Sequence, residues 1–294
     1  MAKGKILKGV GGFYYVLDES GQIHECKARG RFRKDGITPL PGDNVEFAHE
    51  DGSYGFIEEI EERSNELNRP RVANVDMAAI VVSAGKPNID YMLCDKMLIS
   101  INREGIAPLL IINKCETVVE ARIEALRAEY QNACTTIRVS AKTGEGLIAL
   151  KDMLAGKCTC FAGQSAAGKS SILNALFPGL DLKTGGMAKK TDRGKHTTRH
   201  AELLLLEGFS GTVVDTPGFS FFDSADIAPE ELCEYYNDMV PFADGCKFAT
   251  CLHTHEPDCS VKQALADGKI DSNRYQRYLK ILKELQEKRQ RQYD

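Results

Sequence analysis

No stretch of this 294-residue chain approaches the roughly 18 consecutive apolar residues that cross a bilayer. That excludes a helical membrane protein. The N-terminus carries no signal-peptide core, so a soluble, cytoplasmic protein is expected. There is no internal repeat. Basic residues are nearly missing from residues 41 to 66, which hold nine acids and one arginine. Residues 1 to 40 and 269 to 294, by contrast, each carry eight Lys/Arg against four Asp/Glu beneath a net charge of −4. A compact first domain would therefore present one face suited to a polyanion and one suited to solvent.

What is present is led by Gly163-Gln164-Ser165-Ala166-Ala167-Gly168-Lys169-Ser170, a complete phosphate-binding loop. Its glycines let successive N–H groups curl around a polyphosphate, the lysine reaches the outer phosphates and the serine hydroxyl binds magnesium. The preceding Cys158–Ala162 reads as a buried strand, and Ser171 to Phe177 as a helix whose N-terminus faces the anion. Further on, Asp215-Thr216-Pro217-Gly218 follows the apolar strand Thr212–Val214, placing a carboxylate beside the magnesium and the Gly218 amide near the terminal phosphate.

A base-reading element lies upstream, in Asn113-Lys114-Cys115-Glu116. Guanine offers two adjacent donors that one carboxylate accepts together, and adenine does not, so Glu116 would select GTP. Asn113 and Lys114 would buttress base and loop, and Ser140-Ala141-Lys142 would add an amide for the guanine oxygen. Both elements end apolar strands, Leu109–Ile112 and Thr136–Val139, where open α/β sheets present ligand contacts. The base element precedes the phosphate loop, the reverse of the usual order.

The length allows two or three domains. From Gly4 to about Glu66, short strand-like runs such as Phe13–Leu17, Gln22–Cys26 and Asn44–Phe47 are separated by Gly, Asp and Pro turns. This suits a small oligonucleotide-binding (OB-fold) β-barrel spanning residues 1–67. The basic run Lys27 to Lys34, with Phe32 interleaved, is expected on a strand or loop of that barrel, as an RNA face or as a charged, aggregation-resistant edge. Residues 68–223 alternate apolar strands with amphipathic helices, a central α/β P-loop domain with a mostly parallel sheet. Residues 181 to 200 lack apolar periodicity and read as a switch loop. Residues 224–294 read as a helical domain. Its last helix has Tyr275, Tyr278, Leu279, Leu282 and Leu285 on one face, expected to pack within the domain, and Arg277, Lys280, Lys288 and Arg291 on the other, expected to be solvated or to touch RNA.

Of ten cysteines, Cys26, Cys94, Cys115, Cys134, Cys158, Cys160 and Cys233 read as ordinary thiols of a reducing compartment. The rest form Cys246-x4-Cys251-x-His253-x5-Cys259, enough for a closed tetrahedral zinc site. Four protein ligands leave no open position, so one structural zinc is expected. Its binding free energy, on the order of 10 kcal/mol, would help fold a segment expected to be short of apolar core. His255 competes with His253 on spacing alone.

Taken together, the inverted motif order, Gly194-Lys195-His196-Thr197-Thr198-Arg199, Arg29-Gly30-Arg31-Phe32-Arg33-Lys34 and the Cys/His cluster resemble the circularly permuted GTPases, and among them the ribosome small-subunit-dependent GTPase A family (RsgA/YjeQ-like). The resemblance spans nearly the whole chain. Glu116 departs from it, standing where the family usually has aspartate; the extra methylene still permits a bidentate contact. The resemblance implies a GTPase of late small (30S) subunit maturation that binds ribosomal RNA and is stimulated by the subunit. It favours His253 as the zinc ligand and Thr198, with Thr197 the alternative, as the switch threonine.

On that reading, water attacks the γ-phosphate in line, with Lys169, the loop amides and magnesium held by Ser170 and Thr198 stabilising charge. Phe219 occupies the place where Ras-like enzymes carry a water-orienting glutamine, so turnover alone should be slow. His196, two residues before Thr198, could orient the water, or pack the loop or touch RNA. A monomer is expected. The alternatives are an RNA-binding nucleotide sensor with negligible turnover, and a P-loop ATPase.

Overall fold

The computed structural model describes residues 1–48, 54–68, 70–180, 201–215 and 227–293, without the side chains of Asp215, Gln292 and Tyr293. The chain begins with strands β1 (Ala2–Val10), β2 (Phe13–Asp18), β3 (Ile23–Ala28), β4 (Asn44–Ala48) and β5 (Gly55–Ile60). They close into a barrel in the order β1-β2-β3-β5-β4, with β3 and β5 parallel and β4 returning to β1. Alternation does the work: Ile6, Val16, Cys26, Val45, Phe47 and Ile57 point inward and are all but sealed from solvent.

One expectation for the barrel needs correcting. The basic run is not all strand or loop, because Gly30–Lys34 forms a short helix, α1, between β3 and β4. Phe32 packs into the barrel core while Arg31, Arg33 and Lys34 face water. The aromatic ring within the basic run is thus a core residue.

After the short hairpin β6 (Glu66–Asn68) and β7 (Arg71–Ala73) comes a six-stranded sheet. Its strands are β8 (Met77–Ser83), β9 (Ala107–Asn113), β10 (Thr135–Arg138), β11 (Cys158–Ala162), β12 (Glu202–Leu205) and β13 (Thr212–Asp215). Their order is β10-β9-β8-β11-β13-β12, parallel except for β12, which is antiparallel to β13. Every residue of β8 is buried, as a strand covered on both faces requires. Helices α2 (Tyr91–Arg103) and α3 (Glu120–Tyr130) cover one face, and α4 (Leu147–Leu154) and α5 (Lys169–Leu176) the other.

The C-terminal part holds a 3-10 helix, Pro229–Tyr235, and helices α6 (Val240–Ala243), α7 (Ser260–Ala266) and α8 (Ser272–Tyr293). Two readings of this part are corrected. It is not short of core: Leu232, Tyr236, Met239, Val261, Tyr278 and Ile281 are buried together. Nor is Arg277 on a solvent face: it and Arg274 are buried against Asp95 of α2. A helical wheel shows which residues share a face, and here part of the charged face has an acidic partner from another element. No helix among the described residues is long and apolar enough to cross a membrane.

Candidate functional site

The C-terminal ends of β11 and β9, which flank β8 in the sheet, bring two distant pieces of sequence together. Between β11 and α5 the backbone turns left-handed at Gly163 (φ 128°) and Gly168 (φ 107°), conformations that favour glycine. Space demands the same residue: a Cβ at Gly163 would overlap the Val81 carbonyl of β8, and one at Gly168 would overlap Asn113 Nδ2. Ala167 is buried and Ser165 and Ala166 are exposed, while Ser170 and Ser171 lie half-buried in the first turn of α5. The Lys169 ammonium donates to the carbonyls of Gly163 (2.6 Å) and Gln164 (3.1 Å), and burial lowers its pKa. A bound polyanion would relieve that desolvation cost by supplying opposite charge.

From β9, the buried Asn113 donates through Nδ2 to the Ala167 carbonyl (3.0 Å) and accepts the Ala141 N–H on Oδ1 (3.3 Å). Of the Ser140-Ala141-Lys142 element, the Ala141 amide faces Asn113. Lys114, left-handed at φ 63°, donates to the carbonyls of Ala166 (2.9 Å) and Lys86 (2.7 Å). Glu116 is exposed in the 3-10 turn Cys115–Thr117. Ser140 is buried and its Oγ accepts the Thr143 N–H (3.1 Å), pinning the loop in which Lys142 is exposed. Asp215 ends β13 beside β11. Gly218, Phe219 and the segment with His196, Thr197 and Thr198 lie outside the described residues. A cleft of about 560 Å3, lined by Lys5, Asp76, Lys157 and Thr212 among others, opens at the opposite ends of the strands, away from this loop.

The second constellation is Cys246, Cys251, His253 and Cys259, whose ligand atoms all lie within 4.8 Å of one another. Bond lengths of about 2.3 Å to sulfur and about 2.0–2.1 Å to nitrogen put tetrahedral ligands about 3.8 Å (S to S) and about 3.5 Å (N to S) apart. Cys246 Sγ is 3.8 Å from Cys259 Sγ, and His253 Nδ1 is 3.6 Å from Cys246 Sγ and 3.4 Å from Cys259 Sγ. The four residues fit a tetrahedral metal through Nδ1. His255 is exposed and its ring meets Thr254 Oγ1 instead (3.0 Å). Burial pushes the Cys251 thiol up to about 12; at Cys246 burial acts the same way, but the amides of Val261 and Ser260 bring that thiol below its ordinary value. Tyr275 and Tyr278 fix the loop by donating to the carbonyls of His253 (2.6 Å) and Leu252 (3.1 Å), and Glu256 accepts the amides of Leu252 and Thr254.

Comparison with known proteins fits this geometry. The family model described as RsgA GTPase matches residues 60–225, and the one described as RsgA N-terminal domain matches residues 3–57. The chain belongs to the RsgA GTPase family. It is 47% identical over 291 residues to the small ribosomal subunit biogenesis GTPase RsgA of Ruminiclostridium cellulolyticum, covering 98% of this chain and 95% of that one. The RsgA of Bacillus subtilis is 42% identical, with 99% and 100% covered. Among solved structures, YjeQ from Thermotoga maritima superposes with a TM-score of 0.86 at 36% identity, covering 97% of this chain and 98% of that one. YloQ, described as a circularly permuted GTPase, gives 0.84 at 38% identity, with 98% and 96% covered.

Three features of this RsgA-family chain escape sequence reading. Gln164 Oε1 accepts the Asp90 N–H (3.1 Å), tying the phosphate loop to the start of α2. Asp95, Arg274 and Arg277 form a buried cluster in which the aspartate lies 179 and 182 residues from the arginines in sequence. On the barrel, Lys27 lies over the rings of Tyr54 (3.9 Å) and Phe13 (4.7 Å), and Arg29 over Phe56 (4.1 Å). Only the alternation of strand residues hinted at the last, by setting Phe13 beside Lys27 across β2 and β3.

Proposed function

We propose that this chain hydrolyses GTP in the biogenesis of the small ribosomal subunit, on which it binds ribosomal RNA, and that hydrolysis times its release. The clip between Asn113 and Lys114 and the carbonyls of Ala167 and Ala166 carries the reading, because it fastens the base-reading segment to the phosphate loop. The names of the curated relatives support the process. The domain limits proposed are 1–67, 68–223 and 224–294.

In this reading the amides of Gly163 to Ser171 cradle the phosphates, and Lys169 turns from its own loop carbonyls to the outer phosphates. Glu116 accepts the two guanine donors, while Asn113 with Ser140, Ala141 and Lys142 shapes the base pocket. Magnesium, when bound, neutralises phosphate charge; Ser170, in the first turn of α5, and Thr198 would hold it, with Asp215 nearby. The Gly218 amide meets the terminal phosphate and His196 orients the water. The cysteine cluster holds one zinc, closed and structural, through Cys246, Cys251, His253 and Cys259. The barrel meets RNA through Arg31, Arg33 and Lys34 and through the rings interleaved with Lys27 and Arg29. The protein acts in the cytoplasm as a monomer.

Phosphate release from GTP, measured alone, with small subunits and with large subunits, tests the reading. Stimulation by small subunits alone is expected, and stimulated turnover should fall in His196→Ala. Equal rates under all three conditions would overturn the subunit-dependent activity.

A further inference from the structure

Helix α2 reaches both regions just described. Its N-cap, Asp90, accepts the Leu93 N–H (2.9 Å), and the Asp90 N–H itself donates to Gln164 Oε1 in the phosphate loop (3.1 Å). One turn further on, the fully buried Asp95 accepts from Arg274 Nη1 (2.6 Å) and the Tyr130 hydroxyl (3.0 Å) on one oxygen and from Arg277 Nε (2.5 Å) on the other. Arg274 simultaneously grips Asp238 with two nitrogens (2.6 and 3.0 Å). Beside Asp95, Lys96 meets Glu284 of α8 (2.6 Å), and near the far end of α2 Asn102 donates to the Tyr235 carbonyl (2.9 Å).

A buried carboxylate that accepts from two guanidiniums, which Asp238 and Glu129 hold from their other sides, resists sliding, since any displacement that parts one pair breaks a charge-assisted hydrogen bond out of reach of water. Helices α2 and α8 therefore respond to a force as one body, and movement at Gln164 reaches the C-terminal domain. We propose that α2 couples the occupancy of the phosphate loop to the C-terminal domain, with Asp95, Arg274 and Arg277 as positioning residues for that loop. The inference rests on the nucleotide reading above and adds a route by which a partner holding the C-terminal domain adjusts the pocket. Coupling between two sites is reciprocal, so GDP must alter the C-terminal domain as much as that domain alters GDP binding.

The test uses the full-length protein and GDP. Hydrogen exchange of the α8 amides should change when wild type is saturated with GDP. Asp95→Asn, which keeps the shape and a hydrogen-bonding oxygen, should weaken GDP binding about 5-fold or more and shrink the α8 response. Glu230→Gln, which touches Arg289 within the C-terminal domain, should alter neither. Bound GDP with no change in α8 overturns the coupling and leaves the nucleotide reading standing, and that comparison needs no variant to fold. A folded Asp95→Asn protein that binds GDP within twofold of wild type overturns it too. Wild type that fails to bind GDP overturns both.

Discussion

Gly168 and the Asn113 carboxamide are packed so closely that a Cβ on Gly168 would overlap Asn113 Nδ2. The glycine is also left-handed at φ 107°, so Gly168→Ala meets both a steric and a backbone penalty. GDP binding measured by calorimetry should be lost while the barrel and C-terminal domain stay folded. Wild-type affinity in that variant would show that the clip does not shape the pocket.

Asp238, nearly sealed from water, carries a bidentate pair with Arg274. Burial disfavours the Arg274 charge, but Asp95 and Asp238 together hold that guanidinium well above its ordinary pKa. Asp238→Ala leaves Arg274 with Asp95 alone, while Arg277 keeps both Asp95 and Glu129, and should cost about 3–5 kcal/mol in urea unfolding of the C-terminal domain. A cost under about 1 kcal/mol would mean that the cluster relaxes into solvent.

The cysteine cluster should carry one zinc per chain in native mass spectrometry. Chelation should lower the melting temperature of the C-terminal domain, and Cys259→Ser should reduce metal content, because metal binding and folding share one free energy. Unchanged melting after complete metal removal would make the Leu232–Tyr278 core sufficient by itself.

Barrel residues that are neighbours in sequence should separate cleanly by phenotype. Phe32→Ala opens the core and should cost about 3–5 kcal/mol. The pair Arg31→Ala and Arg33→Ala, both exposed, should leave stability within about 0.5 kcal/mol of wild type. Filter binding of ribosomal RNA should weaken in the arginine pair, with the salt slope reduced by about 2. An unchanged slope would remove α1 from the RNA face.

Local chemistry explains what was legible in the sequence. The phosphate loop, the base element and the cysteine cluster each gather their residues within a few positions of one another, so spacing alone displays them, and strand alternation displayed the barrel. What escaped depends on chain segments that meet only after folding. Arg277 looked solvated because its partner Asp95 is 182 residues away. Phe32 was expected on a strand or loop because nothing in a basic run announces that a short helix will turn one side chain inward. Spacing alone left His253 and His255 open and the resemblance favoured His253, whose Nδ1 lies 3.6 Å from Cys246 Sγ and 3.4 Å from Cys259 Sγ.

The earlier half of the chain is expected to grip a guanine base and the later half its phosphates, with Glu116 choosing the base. Calorimetric titration of the full-length protein with GDP and ADP tests it most directly. GDP should bind one to one and ADP far more weakly, and Glu116→Ala should weaken GDP about 10- to 100-fold while leaving ADP unchanged. Equal binding of the two nucleotides, or a Glu116→Ala protein that still prefers GDP, would contradict it.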